Sequence, residues 1–325
     1  MPRFPNISAE TNTKLIMKGE VVSMVVTLTL NPAIDYVVHL QGMAAGRVNR
    51  CEYEELQFGG KGLNVSAVLT NLGIPTTALG FTAGFTGQIL EDKLHEAGVA
   101  TDFIRLDAGM TRINVKIRAQ EVTEINGRGP RIGPEALKAL VQKLDTLDGG
   151  DILVLAGSIP MGLDNAIYED LLRYVQGRGI LSVVDATGDL LCRALPYRPF
   201  LIKPNHHELG EIFAQTLATK EEILKCAGVL QQRGARNVLV SMAGEGALLL
   251  DETGKTHEIC PPRGTVRNSV GAGDSMVAGF LAGWLQSGDY ETALKMGTAA
   301  GSATAFSSSL ATGEEIMSLM RELLK

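Results

Sequence analysis

The sequence has few cysteines and no excess of positive charge, and these two shortages exclude several classes of protein. Its four cysteines are Cys51, Cys192, Cys226 and Cys260, which lie far apart and form no CxxC pair. Neither a disulfide framework nor a zinc-ligand set is indicated, and a reducing cytoplasm is the expected location. The formal net charge of -6 argues against a nucleic-acid partner or an anionic membrane surface.

The chain also lacks a long apolar run near its start. Residues 1 to 23 mix polar residues with two prolines, which is typical of neither a signal peptide nor a membrane span. We expect this segment to be a loosely ordered extension. The sequence turns apolar from Met24, and the remaining residues, 24 to 325, are enough for one large α/β domain.

Buried strands and amphipathic helices alternate along most of this domain. The apolar run 152–156, for example, lies between segments with helical spacing at 134–144 and 165–176, and the apolar run 237–241 follows a helical segment at 220–232. This alternation predicts a doubly wound, mainly parallel sheet flanked by helices. Ligands of such sheets lie at the carboxyl ends of the strands.

Two stretches do not fit the alternation. Residues 38–58 are interrupted by glycines and charges, which predicts short exposed strands rather than core. Residues 112–118 alternate apolar Ile113, Val115 and Ile117 with polar residues, the period of a strand that is exposed on one face. We predict an appendage in which these two stretches pair.

The motif NSVGAGDS, from Asn268 to Ser275, is the strongest functional signal. Gly271 and Gly273 allow the backbone to turn so that its N–H groups converge at the start of the helix that follows. Such a loop can bind a phosphoryl group that carries developing negative charge. Asp274 at the helix start either caps the helix or accepts a hydroxyl proton during phosphoryl transfer.

A second glycine turn, GGKGLNV, runs from Gly59 to Val65 and offers one ammonium group and one amide at a helix entrance. No Ser or Thr follows Lys61 and the glycine spacing differs from a Walker A loop, so a P-loop protein is disfavoured. The absence of GxGxxG after the first strand disfavours a dehydrogenase. The alternative interpretation is a tight turn with a solvated Lys61.

The segment KPNHHE, from Lys203 to Glu208, follows an apolar strand. Asn205 and Glu208 either hold Mg²⁺ through water or form a helix cap with Asn205 as the N-cap residue. The adjacent His206 and His207 do not have the spacing of a zinc site, and we expect them to be surface or packing residues.

Other polar residues follow strands at the same predicted edge. Asp35 can accept hydrogen bonds from sugar hydroxyls, and Arg112 and Lys116 can bind a phosphate, although each is otherwise an ordinary surface charge. Ser158 lies in the turn GSIP, and residues 241–246 form either a hairpin turn or a site for a nucleotide phosphate.

In this order the motifs closely resemble those of the 1-phosphofructokinases in the ribokinase-like family, which also holds the tagatose-6-phosphate kinases. The resemblance runs from about Val25 to the C terminus. It includes TLNPAID at 29–35, GGKGLNV at 59–65, TRINVKI at 111–117, TEINGRGP at 123–130, LAGSIP at 155–160, KPNHHELGE at 203–211, VSMAGEGALL at 240–249 and NSVGAGDS at 268–275. One position departs from the pattern: Thr187 stands where the D-x-S-G motif has Ser, a change that keeps the hydroxyl.

The resemblance implies a kinase that uses ATP and Mg²⁺ to phosphorylate fructose 1-phosphate at O6, giving fructose 1,6-bisphosphate. It implies a small β-sheet lid, made of residues 35–58 and 111–125, and a homodimer through that lid. Asp274 would be the catalytic base, with the amides of Gly271, Ala272, Gly273 and Asp274 stabilising the phosphoryl group. The sugar phosphate would be bound by Asp35, Gly59, Gly60, Lys61, Asn64, Arg112, Lys116, Ser158 and Asp274. ATP and magnesium would be bound by Lys203, Asn205, Glu208, Ser241, Met242, Ala243, Gly244, Glu245, Gly246 and Gly273.

Two other functions stay open. A tagatose-6-phosphate kinase would share the same motifs, although TRINVKI and NHHELGE are more similar to the 1-phosphofructokinases. A non-catalytic sugar-phosphate sensor would keep the pocket without the chemistry. The intact Asp274 and its glycine loop favour an enzyme over a sensor.

Overall fold

A computed structural model describes residues 16–17, 20–21, 23–160 and 162–324 of the chain. Most of the predicted extension, residues 1 to 23, lies outside the described residues, and its loose order stays a prediction. The strands are β1 Ile16–Met17, β2 Glu20–Val21, β3 Val25–Thr29, β4 Ala33–His39, β5 Tyr53–Gly59, β6 Thr76–Ala83, β7 Ala100–Thr101, β8 Ile104–Leu106, β9 Arg112–Arg118, β10 Val122–Asn126, β11 Ile152–Ala156, β12 Leu181–Asp185, β13 Leu201–Ile202, β14 Asn237–Ser241, β15 Ala247–Leu250 and β16 Thr256–Ile259. The α-helices are α1 Lys61–Asn71, α2 Gly84–Glu96, α3 Pro134–Leu144, α4 Ile167–Val175, α5 Gly188–Ala194, α6 His206–Ile212, α7 Lys220–Gln232, α8 Ala272–Ser287, α9 Tyr290–Phe306 and α10 Gly313–Leu323.

The central sheet confirms the predicted fold class. Its strand order is β16-β15-β14-β13-β12-β11-β3-β6-β7, with β8 also paired to β6. The strands from β14 to β7 in this order are parallel, and β15 and β16 add an antiparallel edge. Strands β3 and β11 at its centre are buried along their whole length, because helices cover both faces of the sheet.

Alternate residues of these central strands enter two different apolar cores. Val26 and Leu155 pack in the core that includes residues of α3, α4, α5, α6 and α7. Val25 and Val154 pack in the core that includes residues of α1, α8, α9 and α10. The period of two residues along a strand therefore builds a three-layer structure.

The strand order reverses at the boundary between β3 and β11. The chain continues from β3 to β6 and β7 on one side, and later adds β11, β12, β13 and β14 on the other side. Loops that leave neighbouring strands in opposite directions open a crevice at the carboxyl ends of those strands. The fold therefore predicts a ligand site next to the ends of β3 and β11.

A second, four-stranded sheet has the order β10-β9-β4-β5 and is inserted around this crevice. The pairing predicted between the two appendage stretches is confirmed, and β4 and β9 are parallel while the outer pairs are antiparallel. We call these four strands the lid. Its register places Asp35 directly opposite Asn114.

Helices α8 and α9 approach each other closely because glycines line their contact. A Cβ atom added at Gly279 would lie 2.5 Å from the carbonyl oxygen of Met296 and 2.7 Å from the Cβ of Ala300. No side chain fits there unless the two helices separate. This contact holds α8, and with it the loop that precedes α8, against the core.

We expect Gly279→Ala to lower the free energy of unfolding by about 1–3 kcal/mol, because the added methyl overpacks the contact between the helices. The matched control is Gly228→Ala in α7, where an added Cβ meets nothing within 4 Å. That control should raise the free energy of unfolding by roughly 0.5–1 kcal/mol through helix propensity. Urea unfolding measures both values, and stabilisation by Gly279→Ala would contradict the packing argument.

Candidate active site

One cleft of about 1260 Å³ lies between the carboxyl edge of the central sheet and the lid. It is larger than the few hundred Å³ to about 1000 Å³ typical of a site for one small molecule. Its lining includes Lys61 and Asp274 from the sheet side and Arg112 and Lys116 from the lid. The cleft therefore has room for two ligands held between these two surfaces.

The lid side of the cleft contains a buried, paired carboxylate. Asp35 accepts a hydrogen bond of 2.8 Å from Nδ2 of Asn114 and lies 2.7 Å from Nζ of Lys116. Gly59 is required beside it, because a Cβ there would lie 2.5 Å from the Asp35 Oδ1 atom. Lys116 thus neutralises Asp35, and the role predicted for it at a phosphate stays a prediction.

Arg112 provides positive charge at the same end of the cleft. Its Nε donates to the carbonyl oxygen of Asn31 at 3.0 Å, and its Nη1 donates to that of Gly127 at 3.5 Å. Burial lowers the pKa of Arg112 from its ordinary value. Arg112 pairs with no carboxylate among the described residues, so its charge is available to an anionic ligand.

A buried ion cluster occupies the floor of the cleft. The Asp185 carboxylate, only 1% exposed, lies 3.2 Å from Nζ of Lys61 and 3.6 Å from Nζ of Lys203. Burial raises the pKa of Asp185, but Lys203 and Lys61 outweigh burial and hold it below its ordinary value. Burial likewise lowers the pKa of Lys61, but Asp185 and Asp274 outweigh it and raise that pKa.

Asp274 lies in the first turn of α8, directly after the glycine loop. Gly271 is the N-cap residue in the left-handed conformation, with φ 79°, which favours glycine. The Asp274 carboxylate accepts a hydrogen bond of 2.7 Å from Nδ2 of Asn64. Asp274 is therefore directed toward α1 and the cleft instead of capping its own helix.

The surroundings of Asp274 make it an unusually strong base for a carboxylate. Burial, followed by repulsion from Asp185, raises its pKa to about 6, against the opposing effects of Asn64, Lys61 and Lys203. A Cβ added at Gly273 would lie 3.1 Å from Nζ of Lys203, so this ammonium group lies beside the glycine loop. A proton acceptor, backbone N–H groups and a cation thus meet at one place.

The segment from Lys203 to Glu208 begins α6 with a capping box. Oδ1 of Asn205 accepts from the Glu208 N–H at 2.9 Å, and Oε2 of Glu208 accepts from the Asn205 N–H at 2.8 Å. The cap predicted as one alternative is confirmed, and both side chains also line the cleft. The rings of His206 and His207 contact each other with centroids 3.8 Å apart and planes tilted by 40°, and both residues line the cleft as well.

The turn between β14 and β15 forms the outer wall beside this segment. It is a hairpin with a 3-10 turn at Ala243–Glu245, which agrees with the hairpin alternative, and its residues from Ala243 to Gly246 line the cleft. Met242, predicted among the nucleotide-binding residues, has its side chain in the apolar core and does not line the cleft.

Most of the predicted site residues meet in this cleft although they are far apart in the chain. Those that line it are Asp35, Gly60, Lys61, Asn64, Arg112, Lys116, Ser158, Lys203, Asn205, Glu208, Ser241, Ala243, Gly244, Glu245, Gly246, Gly271, Ala272, Gly273 and Asp274. Gly59 and Met242 are the two predicted residues outside this lining.

Several residues of the site were not predicted as members of it. Asp185 had a detectable signal, since it is an acidic residue that directly follows a buried strand. Asn114 had another, because it alternates with apolar residues on the predicted lid strand. The wall made by residues 260–264 and by Thr298, Ser302 and Phe306 carried no recognisable motif.

A doubly wound sheet under a small lid, with a buried carboxylate beside a glycine loop, defines the class of ribokinase-like sugar kinases. A family model described as pfkB family carbohydrate kinase matches residues 24–317. The chain belongs to this family.

Individual relatives cover nearly the whole chain. The 1-phosphofructokinase of Bacillus subtilis is 44% identical over 300 residues, which are 92% of this chain and 98% of that protein. The D-tagatose-1-phosphate kinase of Bacillus licheniformis is 36% identical over 288 residues, or 88% of this chain and 94% of that protein. Phosphofructokinase-2 from Escherichia coli, solved in complex with fructose-6-phosphate, matches with a TM-score of 0.87 and 27% identity, covering 94% and 100% of the two chains.

None of the helices in the described part of the chain combines the length and the apolar composition needed to span a bilayer.

We expect Asp274→Asn to stabilise the protein at about pH 8, by up to roughly 3 kcal/mol, because a pKa raised from 3.8 to about 6 means that folding disfavours the charge. In the wild-type protein, the free-energy cost of burying the charged carboxylate disappears as the pH falls from about 6 toward about 4, where Asp274 becomes protonated in both the folded and the unfolded state. The stability difference between the variants should shrink over that window.

Urea unfolding of both variants at about pH 8 and about pH 4.5 measures this difference. Asp107→Asn is the matched control, because it removes a carboxylate that is exposed and lies outside the cleft. A variant Asp274→Asn that is less stable than the wild type at the higher pH would contradict the expectation.

Proposed function

We propose that this protein transfers the γ-phosphate of ATP to the C6 hydroxyl of fructose 1-phosphate, giving fructose 1,6-bisphosphate and ADP. The observation that carries the proposal is one cleft that joins a carboxylate of raised pKa and a glycine loop to Arg112 of the lid. Within the described part of the chain, Arg112 forms no ion pair with a carboxylate. The 1-phosphofructokinase of Bacillus subtilis, 44% identical over 92% of this chain, supports this choice of substrate.

The two ends of the cleft suit the two ends of a sugar phosphate. Arg112 is proposed to bind the C1 phosphate at the lid, because a guanidinium group binds phosphate oxygens in pairs. Asp35 is proposed to accept hydrogen bonds from sugar hydroxyls, and Lys61 and Asn64 are proposed to donate hydrogen bonds to hydroxyl oxygens. Gly59, Gly60 and Ser158 are proposed to complete the sugar site. The C6 hydroxyl then lies toward Asp274.

Asp274 is proposed to act as the general base. Its carboxylate takes the proton of the C6 hydroxyl while O6 bonds to the γ-phosphorus and the bond from that phosphorus to the β-phosphate oxygen breaks. At neutral pH a group with a pKa of about 6 is largely deprotonated, yet it binds a proton more strongly than an ordinary aspartate does.

The N–H groups from Gly271 to Asp274 are proposed to stabilise the phosphoryl group in transfer. They lie at the positive end of α8, where the negative charge that develops on the phosphoryl oxygens is favoured. Lys203 adds a cation beside Gly273. The nucleotide is proposed to extend from there along Asn205, Glu208 and residues 241–246.

Magnesium is proposed to accompany ATP. The described residues contain no group of three or more histidines, cysteines or carboxylates able to chelate a metal ion. Their donors therefore fit a magnesium ion that is held mainly by phosphate oxygens and water, with Asn205 and Glu208 reaching it through water. Bound magnesium would offset the negative charge of the phosphates.

The proposal is tested by ADP release with ATP and Mg²⁺, using fructose 1-phosphate, tagatose 1-phosphate, tagatose 6-phosphate and fructose 6-phosphate. We expect fructose 1-phosphate to have the highest kcat/KM. Asp274→Asn should lower kcat by about 10²–10⁴-fold with that substrate, because the proton acceptor is lost, and should leave its KM within about threefold.

Controls separate the proposed substrate from the proposed base. Asp107→Asn should keep wild-type kcat, and removal of Mg²⁺ with a chelator should stop turnover. A preference for tagatose 1-phosphate would favour the activity named for the Bacillus licheniformis relative. Turnover of none of the four sugars by folded protein would refute the substrate assignment and favour the sensor alternative.

We propose in addition that two copies of the chain associate through the lid. The side chains of Leu56 and Ile125 on its two edge strands are 44% and 57% exposed. They share one face of the lid with the half-buried Tyr36 and Val115, because the register places these four residues side by side across the sheet. Such a group of exposed apolar residues favours burial against a second copy.

We expect light scattering after size exclusion to give twice the mass of one chain. The double variant Leu56→Glu with Ile125→Glu should halve this mass, because charge in a buried contact is costly. Met317→Glu, which changes an exposed apolar residue of α10, is the matched control. A wild type that elutes as a monomer, or a double variant that stays dimeric, rules out this interface.

A further inference from the structure

Strand β9 places four polar side chains at alternate positions, Arg112, Asn114, Lys116 and Arg118. Alternate residues of a strand share one face. The first three line the cleft, where Asn114 and Lys116 hold Asp35. Arg118, the last residue of the strand, does not line the cleft and has no role in the proposed phosphoryl transfer.

Arg118 instead connects the lid to the glycine loop. Its Nη2 donates to Oδ1 of Asn268 at 3.4 Å, although the two residues are 150 positions apart in the chain. Asn268 is the first residue of the NSVGAGDS motif. Arg118 forms no ion pair with a carboxylate within the described residues, and Oδ1 of Asn268 therefore receives its hydrogen bond from a charged donor.

Asn268 anchors the loop from several directions. Its Oδ1 also accepts from the N–H of Val270 at 3.1 Å, its Nδ2 donates to the carbonyl oxygen of Ser308 at 3.4 Å, and its N–H donates to that of Ala305 at 3.2 Å. Gly271, three residues after Asn268, has the left-handed conformation. A displacement of Asn268 therefore moves the N–H groups between Gly271 and Asp274.

We infer that Arg118 is a positioning residue, which ties the lid to the phosphoryl-binding loop through Asn268. This inference rests on the proposed function. The same strand that holds Asp35 on the sugar side thereby fixes the loop on the phosphoryl side. Because stabilisation by backbone N–H groups depends steeply on their placement, the contact makes catalysis depend on the position of the lid.

The test uses the full-length protein with ATP, Mg²⁺ and fructose 1-phosphate. Arg118→Met keeps the length of the side chain and removes its donors, and we expect kcat to fall about tenfold. KM for fructose 1-phosphate should stay within about threefold, since Arg112, Asn114 and Lys116 are unchanged. Arg118→Lys, which keeps one charged donor group, should recover part of kcat.

A double-mutant cycle with Asn268→Ala tests the coupling itself. If Arg118 acts through Asn268, the double variant should be no slower than the slower single variant. The matched control is Arg105→Met, an exposed arginine that is bonded to Glu91 and lies outside the cleft. It should leave kcat and KM unchanged.

Three results would overturn the inference: an unchanged kcat, a loss confined to KM, or losses in the two single variants that multiply in the double variant. If Arg118→Met does not fold, as judged by urea unfolding, Arg118→Gln replaces it in the same cycle. If the wild type does not use fructose 1-phosphate, the proposed function fails by itself, and the cycle is run with the sugar phosphate that the wild type turns over.

Discussion

The buried Asp185 carboxylate is the constraint on which the site depends. An ionised carboxylate removed from water requires opposite charge close by, and Lys61 and Lys203 supply it from the start of α1 and the end of β13. Three separate segments are therefore drawn to one point on the sheet edge. The lysines that neutralise Asp185 also lie beside the glycine loop and the cleft.

The same arrangement explains why Asp274 differs from Asp185. Both carboxylates are buried, but the lysines lie closest to Asp185, and Asp274 receives its hydrogen bond from the neutral amide of Asn64. The two lysines outweigh burial at Asp185 and lower its pKa, whereas burial, followed by repulsion from Asp185, raises the pKa of Asp274. A stable ion cluster and a basic carboxylate thus arise from one group of residues.

The lid forms the side of the cleft that faces the sheet edge, and it contains a buried ion pair of its own. Lys116 neutralises Asp35, while Arg112 lines the cleft and forms no ion pair with a carboxylate of the residues that the structure describes. Since β9 also carries Arg118 to Asn268, one strand contacts both the sugar side and the loop of the central sheet. The parallel pairing of β4 and β9 makes this possible, because it fixes which residues of the two strands lie side by side.

The sequence by itself determined the fold class and most of the cleft. Strand and helix periodicities are local, and glycine turns and charged residues after buried strands must lie at one edge of a parallel sheet. Only the tertiary structure decided which side chains pair with each other in the site. Nothing local pairs Lys116 with Asp35, Lys61 with Asp185 or Arg118 with Asn268, because these contacts join residues 81, 124 and 150 positions apart. The wall near Phe306 likewise depends on how α9 packs, and the raised pKa of Asp274 depends on burial and distance, which exist only in the folded chain.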